Sequence, residues 1–237
     1  MKQAIVTGTS RGLGKAIALQ LLEQGWNVTG ISRNHSIEHE KYIHVSADLS
    51  DWNFVNNLSL GLNPDAEEYM LIHNAGTLGE IGYVGEISDA MIQQGFQLNL
   101  ITPSILTNQF LKETQHKNRT VVAITSGASK NQYDGWGMYC SSKAGLDAYF
   151  AVVMKEVDLR NDKYTRIYSI APGVIDTSMQ EQIRQSDKDS FSNLARFSEL
   201  KELNQLDSAE NVAKKITTFL LSENPFKNGR YDIRDFD

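Results

Sequence analysis

The chain has 237 residues, 41% hydrophobic and 22% charged, a length and balance that suit one large globular domain and exclude intrinsic disorder. A formal charge of -6 with no Lys/Arg run excludes a phosphate-backbone partner, so no nucleic acid is expected. A lone cysteine, Cys140, cannot make an internal disulfide, and no stretch reads as a signal peptide or membrane span, so a reducing cytoplasmic setting away from membranes is expected.

Short β-rich segments alternate with segments of helical period, the pattern of a mostly parallel sheet covered by helices on both faces. Strands are expected at Ala4–Thr7, Asn27–Ile31, Tyr42–Val45, Tyr69–His73, Thr120–Thr125, Arg166–Ile170 and Arg230–Ile233. Helices are expected at Gly12–Gln24, Asp51–Leu60, Ser88–Gln97, Ile101–Thr114, Tyr139–Leu159 and Ala209–Leu221. That series predicts a seven-stranded, Rossmann-type doubly wound α/β fold, and no repeat or linker cuts residues 1–237 into more than one domain. The stretch Thr177–Gln205 is polar but carries isolated Phe191, Leu194 and Phe197. It reads either as a substrate lid of short helices or as a surface excursion with anchoring aromatics.

The first expected strand runs into Thr7-Gly8-Thr9-Ser10-Arg11-Gly12-Leu13-Gly14, and a helical pattern starts at once. Glycines there let the backbone turn tightly and bring helix N-terminal N–H groups against a pyrophosphate. An NTPase phosphate loop is excluded, because it needs outer glycines five apart followed by Lys and Ser/Thr, whereas Gly8 and Gly14 are six apart and Ala16 follows Lys15. At the end of the second strand, where an acidic residue would favour NAD, the chain has Ser32-Arg33-Asn34. Arg33 offers a planar cationic fork for a 2′-phosphate, with Arg11 closing from the other side, which predicts NADPH; otherwise Arg33 is a solvated loop cation.

Among nine tyrosines only Tyr139 has a lysine four residues later, Lys143, and this spacing sets both on one helical face. A nearby ammonium favours phenolate, which would bring the phenol toward working pH as a proton donor to a carbonyl oxygen. A Tyr and Lys so spaced also form plain surface contacts. Ser126, just past the fifth strand, lies where a parallel sheet opens onto its ligand crevice, and its hydroxyl would orient a substrate oxygen; the alternative is a serine capping the local turn. His35 and His39 lack a third neighbouring ligand, so no metal is expected, and His73 reads as packed in the crevice wall. Cys140 points to a different face from Tyr139 and reads as a small buried side chain.

The ordered set Thr7-Gly8-x-x-x-Gly12-x-Gly14, Asp48-Leu49, Asn74-Ala75-Gly76, Asn99, Ser126, Tyr139-x-x-x-Lys143 and Pro172-Gly173 resembles the short-chain dehydrogenase/reductase family over almost the whole chain. The resemblance implies Tyr139 as general acid/base, Lys143 holding the nicotinamide ribose, Ser126 orienting the carbonyl, and Asn99 keeping a water in a proton relay. It also implies that Asp48 and Leu49 contact adenine, that Asn74-Ala75-Gly76 line the crevice, and that Pro172-Gly173-Val174 with Thr177 hold the nicotinamide end. Asn74–Gly79, Gly135–Cys140 and Ala171–Gln180 further resemble sepiapterin reductases and the bacterial benzil reductases related to them. Both reduce a ketone beside another carbonyl, which implies a vicinal dicarbonyl substrate against an apolar wall of Leu78, Trp136, Val174 and Met179, alongside Gly173. In that subgroup a tail aspartate anchors a pterin ring. Asp232 is the nearest match but falls one residue closer to its glycine, which favours a diketone reductase over a sepiapterin reductase; alternatively Asp232 faces water beside Arg230 or Arg234.

Two other functions use the same nucleotide fold: a cofactor-sensing regulator without chemistry, and a carrier-dependent oxoacyl reductase. The intact Ser126, Tyr139 and Lys143 set argues against the first, and the acidic balance against docking an acidic carrier argues against the second. The resemblance also implies a homodimer formed through Ile101–Thr114 and Tyr139–Leu159.

Overall fold

The computed structural model describes residues 1–223 and 225–236. Its strands are β1 (Lys2–Thr7), β2 (Asn27–Ser32), β3 (Tyr42–Ser46), β4 (Glu68–His73), β5 (Asn118–Ile124), β6 (Thr165–Ala171) and β7 (Gly229–Asp232). Among the described residues they form one seven-stranded sheet in the order β3-β2-β1-β4-β5-β6-β7, with every pairing parallel. The pleat sends alternate side chains to opposite faces, so Ala4 and Val6 enter one core and Ile5 the other. The same split separates Met70 and Ile72 from Leu71, and Val122 from Val121. Strands buried on both faces read as continuous apolar runs, which is what these segments are.

The helices are α1 (Gly12–Glu23), α2 (Trp52–Asn56), α3 (Asp89–Phe96), α4 (Thr102–Glu113), α5 (Gly137–Leu159), α6 (Ser178–Arg184), α7 (Leu194–Glu202) and α8 (Ala209–Leu220). On α8, Val212, Ala213, Ile216 and Phe219 recur at helical spacing and meet Leu13, Ile17 and Leu21 of α1 on one sheet face. Leu106 and Phe110 of α4, with Leu146, Phe150 and Val153 of α5, cover the other face. The order of strands reverses between β1 and β4, and a crevice opens there at the carboxyl ends.

Two parts of the helical pattern depart from the sequence expectation. The separate helices expected at Ser88–Gln97 and Ile101–Thr114 are continuous, joined by a π-helical turn over Gln97–Ile101. Pro103 reads as a helix start, but here it sits inside an uninterrupted helix. Lacking an N–H, it cannot bond the Asn99 carbonyl four residues back, while the Thr102 N–H bonds Gln97 O five residues back. The helix expected at Asp51–Leu60 ends at Asn56, because Leu60 turns in to be fully buried and Gly61 follows at φ +59. The stretch 177–205 is built around the short helices α6 and α7, and its aromatics Phe191 and Phe197 are buried, a feature common to both expected readings. No helix among the described residues is long and apolar enough to cross a membrane.

Candidate functional site

The carboxyl ends of the central strands line a cleft of about 830 Å³. Its floor begins with the glycine turn. Gly8 adopts φ +76 and its N–H bonds Ile31 O at 2.8 Å. A Cβ on Gly14 would stand 2.2 Å from Asn74 Nδ2 and 2.3 Å from Gly8 O, so α1 packs against the turn only because that side chain is absent. Asn74 Nδ2 donates to the carbonyls of Thr7 and Gly8 at 3.1 and 3.3 Å, stitching the end of β4 to the turn. The Thr7 hydroxyl completes the stitch by accepting the N–H groups of Asn74 and Ala75, each at 3.0 Å. Sequence reading placed Thr7 in the glycine motif without a role for its hydroxyl; its position directly before the glycine was the available signal.

Helix α1 starts at this floor with no side-chain cap and no acidic residue in its first turn. Ser10, Arg11, Gly12 and Leu13 line the cleft there, so the helix's N-terminal donors and positive dipole end are left for an anion. Arg33 and Arg11 are both exposed on the lining. Asn34 is not: it faces solvent, and its carbonyl accepts the Ser32 hydroxyl at 3.0 Å. Asp48 and Leu49 line the same end, and the Ser50 hydroxyl and N–H hold the Asp48 carboxyl below the usual range, with Arg33 adding to the effect. The donor set and the glycine cradle fit a dinucleotide.

At the centre of the cleft stand Ser126, Tyr139 and Lys143, with Ala75 and Gly76 opposite. The Ser126 hydroxyl accepts the Ala128 N–H at 3.1 Å, so it does cap its local turn while lining the cleft. Burial pushes the Tyr139 phenol above its ordinary value, opposed by the Ser126 hydroxyl. The expected lowering by Lys143 is absent. The ammonium instead donates to Ile124 O at 2.9 Å, with Nζ 6.0 Å from the centre of the tyrosine ring. Burial pulls Lys143 down to about 8, and Asp147 works against it.

Asn99 is fully buried in the π-helical turn and does not line the cleft. Its amide accepts the Thr77 N–H at 2.9 Å and donates to Thr77 O at 2.8 Å and Ser142 Oγ at 3.0 Å. The side chain therefore clamps the segment after β4 to α5.

Leu78, Trp136 and Met179 wall the far end, with Pro172, Gly173, Val174 and Thr177 along one side. Trp136 stacks on Phe191 at 4.9 Å and meets the Tyr139 ring edge-on at 5.9 Å, so the aromatic cluster beneath α6 and α7 also holds the phenol in place. Asp134 accepts the Ser192 N–H and hydroxyl, both at 2.8 Å, and Gln182 donates to Gly79 O at 2.7 Å, docking the covering segment over the cleft. Asp232 lines the cleft but is tied to Arg234, whose Nε and Nη2 reach its two oxygens at 2.8 and 2.5 Å.

His73 is buried, its Nε2 2.9 Å from Thr107 Oγ1, and burial, with Lys143 adding, lowers it to about 3. Cys140 is only partly buried, because its side chain leaves the core side of α5 toward Asn131 O at 3.6 Å. His35 stacks on His44 and His39 accepts the Lys41 N–H; among the described residues no three metal-ligating side chains gather.

Comparison with known proteins agrees with this geometry. The family model described as short chain dehydrogenase matches residues 2–188. The chain is 40% identical over 238 residues to a benzil reductase ((S)-benzoin forming) of Bacillus cereus, covering 94% of this chain and 95% of that one. It is 39% identical to the enzyme of the same name from Bacillus subtilis across 100% of both, and 29% identical to the sepiapterin reductase of Mus musculus across 96% and 94%. Among solved structures, a short chain dehydrogenase/reductase of Saccharomyces cerevisiae, YIR035C, superposes with a TM-score of 0.83 at 25% identity over 100% and 99% of the two chains.

Proposed function

The chain belongs to the short-chain dehydrogenase/reductase family, as an oxidoreductase acting on a CH–OH/C=O group with a nicotinamide cofactor, and we propose that it reduces vicinal dicarbonyl compounds with NADPH, using Tyr139 as proton donor. The observation that carries the reading is the pairing of hydroxyls at the cleft centre. Ser126 Oγ accepts the Ala128 N–H, and its hydroxyl acts on a buried, neutral Tyr139 beside it. A ketone oxygen held between them receives one hydrogen bond that orients it and one proton as negative charge develops. When bound, the reduced nicotinamide supplies the hydride. Ser10, Gly12 and Leu13 would meet its phosphates, Asp48 and Leu49 the adenine, and Pro172, Gly173, Val174 and Thr177 its nicotinamide end.

Lys143, buried and held by Ile124 O, has its remaining N–H groups for a ribose and a proton relay. Asn99 supports that relay through its backbone: Pro103 denies its carbonyl the usual helical donor, which favours a water there, while its side chain fixes Thr77. Arg33 and Arg11 favour a 2′-phosphate, since both guanidinium groups stand exposed on the lining at the adenine end. The segment around α6 and α7 acts as the substrate lid. A diketone is favoured over a pterin because Asp232 has both oxygens satisfied by Arg234, which a pterin would have to displace at the cost of a charge-assisted pair. The near-complete coverage at 39–40% identity to benzil reductases points the same way. Exposed Ile101, Val152 and Leu159 on the α4–α5 side support a homodimer in solution.

The test follows loss of reduced cofactor with benzil, small 1,2-diketones, sepiapterin and oxoacyl thioesters, for wild type, Tyr139→Phe and Arg33→Ala. Dicarbonyls turn over fastest, Tyr139→Phe loses about a thousandfold or more in kcat, and Arg33→Ala loses its preference for NADPH over NADH. Absence of turnover on any dicarbonyl, or full activity in Tyr139→Phe, would end the proposal.

A further inference from the structure

Arg230 lies on the last strand, outside every motif of the nucleotide turn and of the catalytic helix. Its guanidinium nevertheless joins the two elements that carry the reacting side chains. Nε donates to Asp147 Oδ2 at 2.8 Å on α5, one helical turn beyond Lys143 and two beyond Tyr139. Nη2 donates to the Ser126 backbone carbonyl at 3.3 Å and to Ser129 Oγ at 3.2 Å. The Ser129 hydroxyl and N–H donate to that same Ser126 carbonyl at 2.8 and 3.1 Å, so three donors meet there, and Arg230 is the one that ties it to α5. Asp147 is held in turn by a short hydrogen bond from Ser169 on β6. Both members of the ion pair are largely buried, with side chains 23% and 15% exposed. Ion pairs this covered act mainly through geometry, since desolvation offsets much of their attraction.

We propose that Arg230, paired with Asp147, is a positioning residue that sets the distance between the Ser126 hydroxyl and the Tyr139/Lys143 face of α5. The proposal rests on the catalytic reading of Ser126 and Tyr139 given above. Ser126 follows β5 and Tyr139 stands near the start of α5, with a loop of flexible composition, Gly127 to Gly135, between them. Within that span the short 3₁₀ turn Gly127–Ser129 provides little rigidity of its own. A planar, five-donor fork can bind a carboxylate and a carbonyl at once, whereas a lysine, as a single-point donor, can satisfy Asp147 and leave the Ser126 carbonyl only its local donors from Ser129, with no link to α5. A displacement of about 1 Å at such a site costs up to about a hundredfold in rate.

Asp147 has a second effect, through charge. The groups that face Lys143 are Tyr139 and Asp147 on α5, the buried His73 on β4, the uncharged Asn99 amide on the π-helical turn and the Ile124 carbonyl on β5. Of these, Asp147 is the negative charge that opposes burial of the ammonium. Removing it should move the alkaline limb of kcat to lower pH.

The test uses the full-length protein with NADPH and the best dicarbonyl, measuring kcat, KM for both substrates, the pH profile and the thermal midpoint for Arg230→Lys, Arg230→Met, Asp147→Asn and Tyr139→Phe. Arg230→Lys keeps the ion pair and a thermal midpoint close to wild type, but kcat falls about tenfold with KM for NADPH within twofold. Asp147→Asn shows a similar fall together with an alkaline limb displaced downward. Should Arg230→Met fail to fold, Arg230→Lys still decides the question. The positioning role is overturned if Arg230→Lys keeps wild-type kcat, or if the losses merely follow the fraction unfolded. Full activity of Tyr139→Phe in the same assay would instead overturn the catalytic reading, which separates the two failures.

Discussion

Replacing Asn99 by alanine removes a buried amide that makes three hydrogen bonds at 2.8 to 3.0 Å, to Thr77 N–H, Thr77 O and Ser142 Oγ, and a long, weak one to Met138 Sδ at 4.0 Å. Each is worth about 1 kcal/mol net, and a backbone group of Thr77 left unpaired adds about 1 kcal/mol or more. The sum, about 3–4 kcal/mol, is large because the residue has no exposure through which water could substitute. For a domain of this size 1 kcal/mol moves the thermal midpoint by about 2–4 °C, so Asn99→Ala should melt about 10 °C below wild type. Circular dichroism melts of the cofactor-free protein measure this directly. The effect should appear before any assay of catalysis, because the clamp is part of the fold. A fall below about 2 °C would refute the reasoning, since it would mean that Thr77 finds other partners at no cost.

The low value of Lys143 predicts an alkaline limb in kcat/KM with an apparent pKa near 8, read from a pH series with the free enzyme; a profile flat to about pH 10 would contradict it. His73 falls from 6.5 to about 3 on folding, so the unfolded chain binds the extra proton; stability is full above pH 6.5 and drains as pH falls toward 3. Denaturant titrations should show that slope in wild type and a shallower one in His73→Phe, and equal slopes would discount the histidine. Asp134→Ala removes both anchors of Ser192 at the protein surface, so proteolysis within 177–205 should quicken and the substrate KM rise several-fold while the thermal midpoint barely moves. Unchanged proteolysis would mean that the aromatic cluster alone holds the segment.

The sheet was legible because its central strands carry apolar runs, Ala4–Val6, Tyr69–Ile72 and Val121–Ile124, and each expected strand matches an observed one to within two residues at either end. The helices were less so where one side chain serves two local patterns. The break expected between Gln97 and Ile101 is a π-helical turn in which Gln97 and Asn99 are buried. Leu60 fits a helical stripe but is needed in the core beyond the end of α2. At the site, Ser126, Tyr139 and Lys143 could be found from spacing and strand ends. Thr7 stood in the glycine motif without a role for its hydroxyl, and Asp134 could not be found, because a carboxylate that caps a distant segment has no period. The electrostatic expectation for Tyr139 failed for a related reason: sequence gives the separation of Tyr139 and Lys143 along a helix, but not the Ile124 carbonyl that turns the ammonium aside.

The uncapped start of α1 bears on how long the protein lasts as well as on what it binds. Among the described residues no side chain caps this N-terminus, so a dinucleotide that meets its donors would bind the folded form and not the unfolded one. At a hundredfold excess over Kd such a ligand adds about 2.7 kcal/mol, enough to cut the unfolded population about a hundredfold. Turnover by proteases that attack opened chains would then track the supply of nucleotide, and protein made in excess of its cofactor would be cleared first.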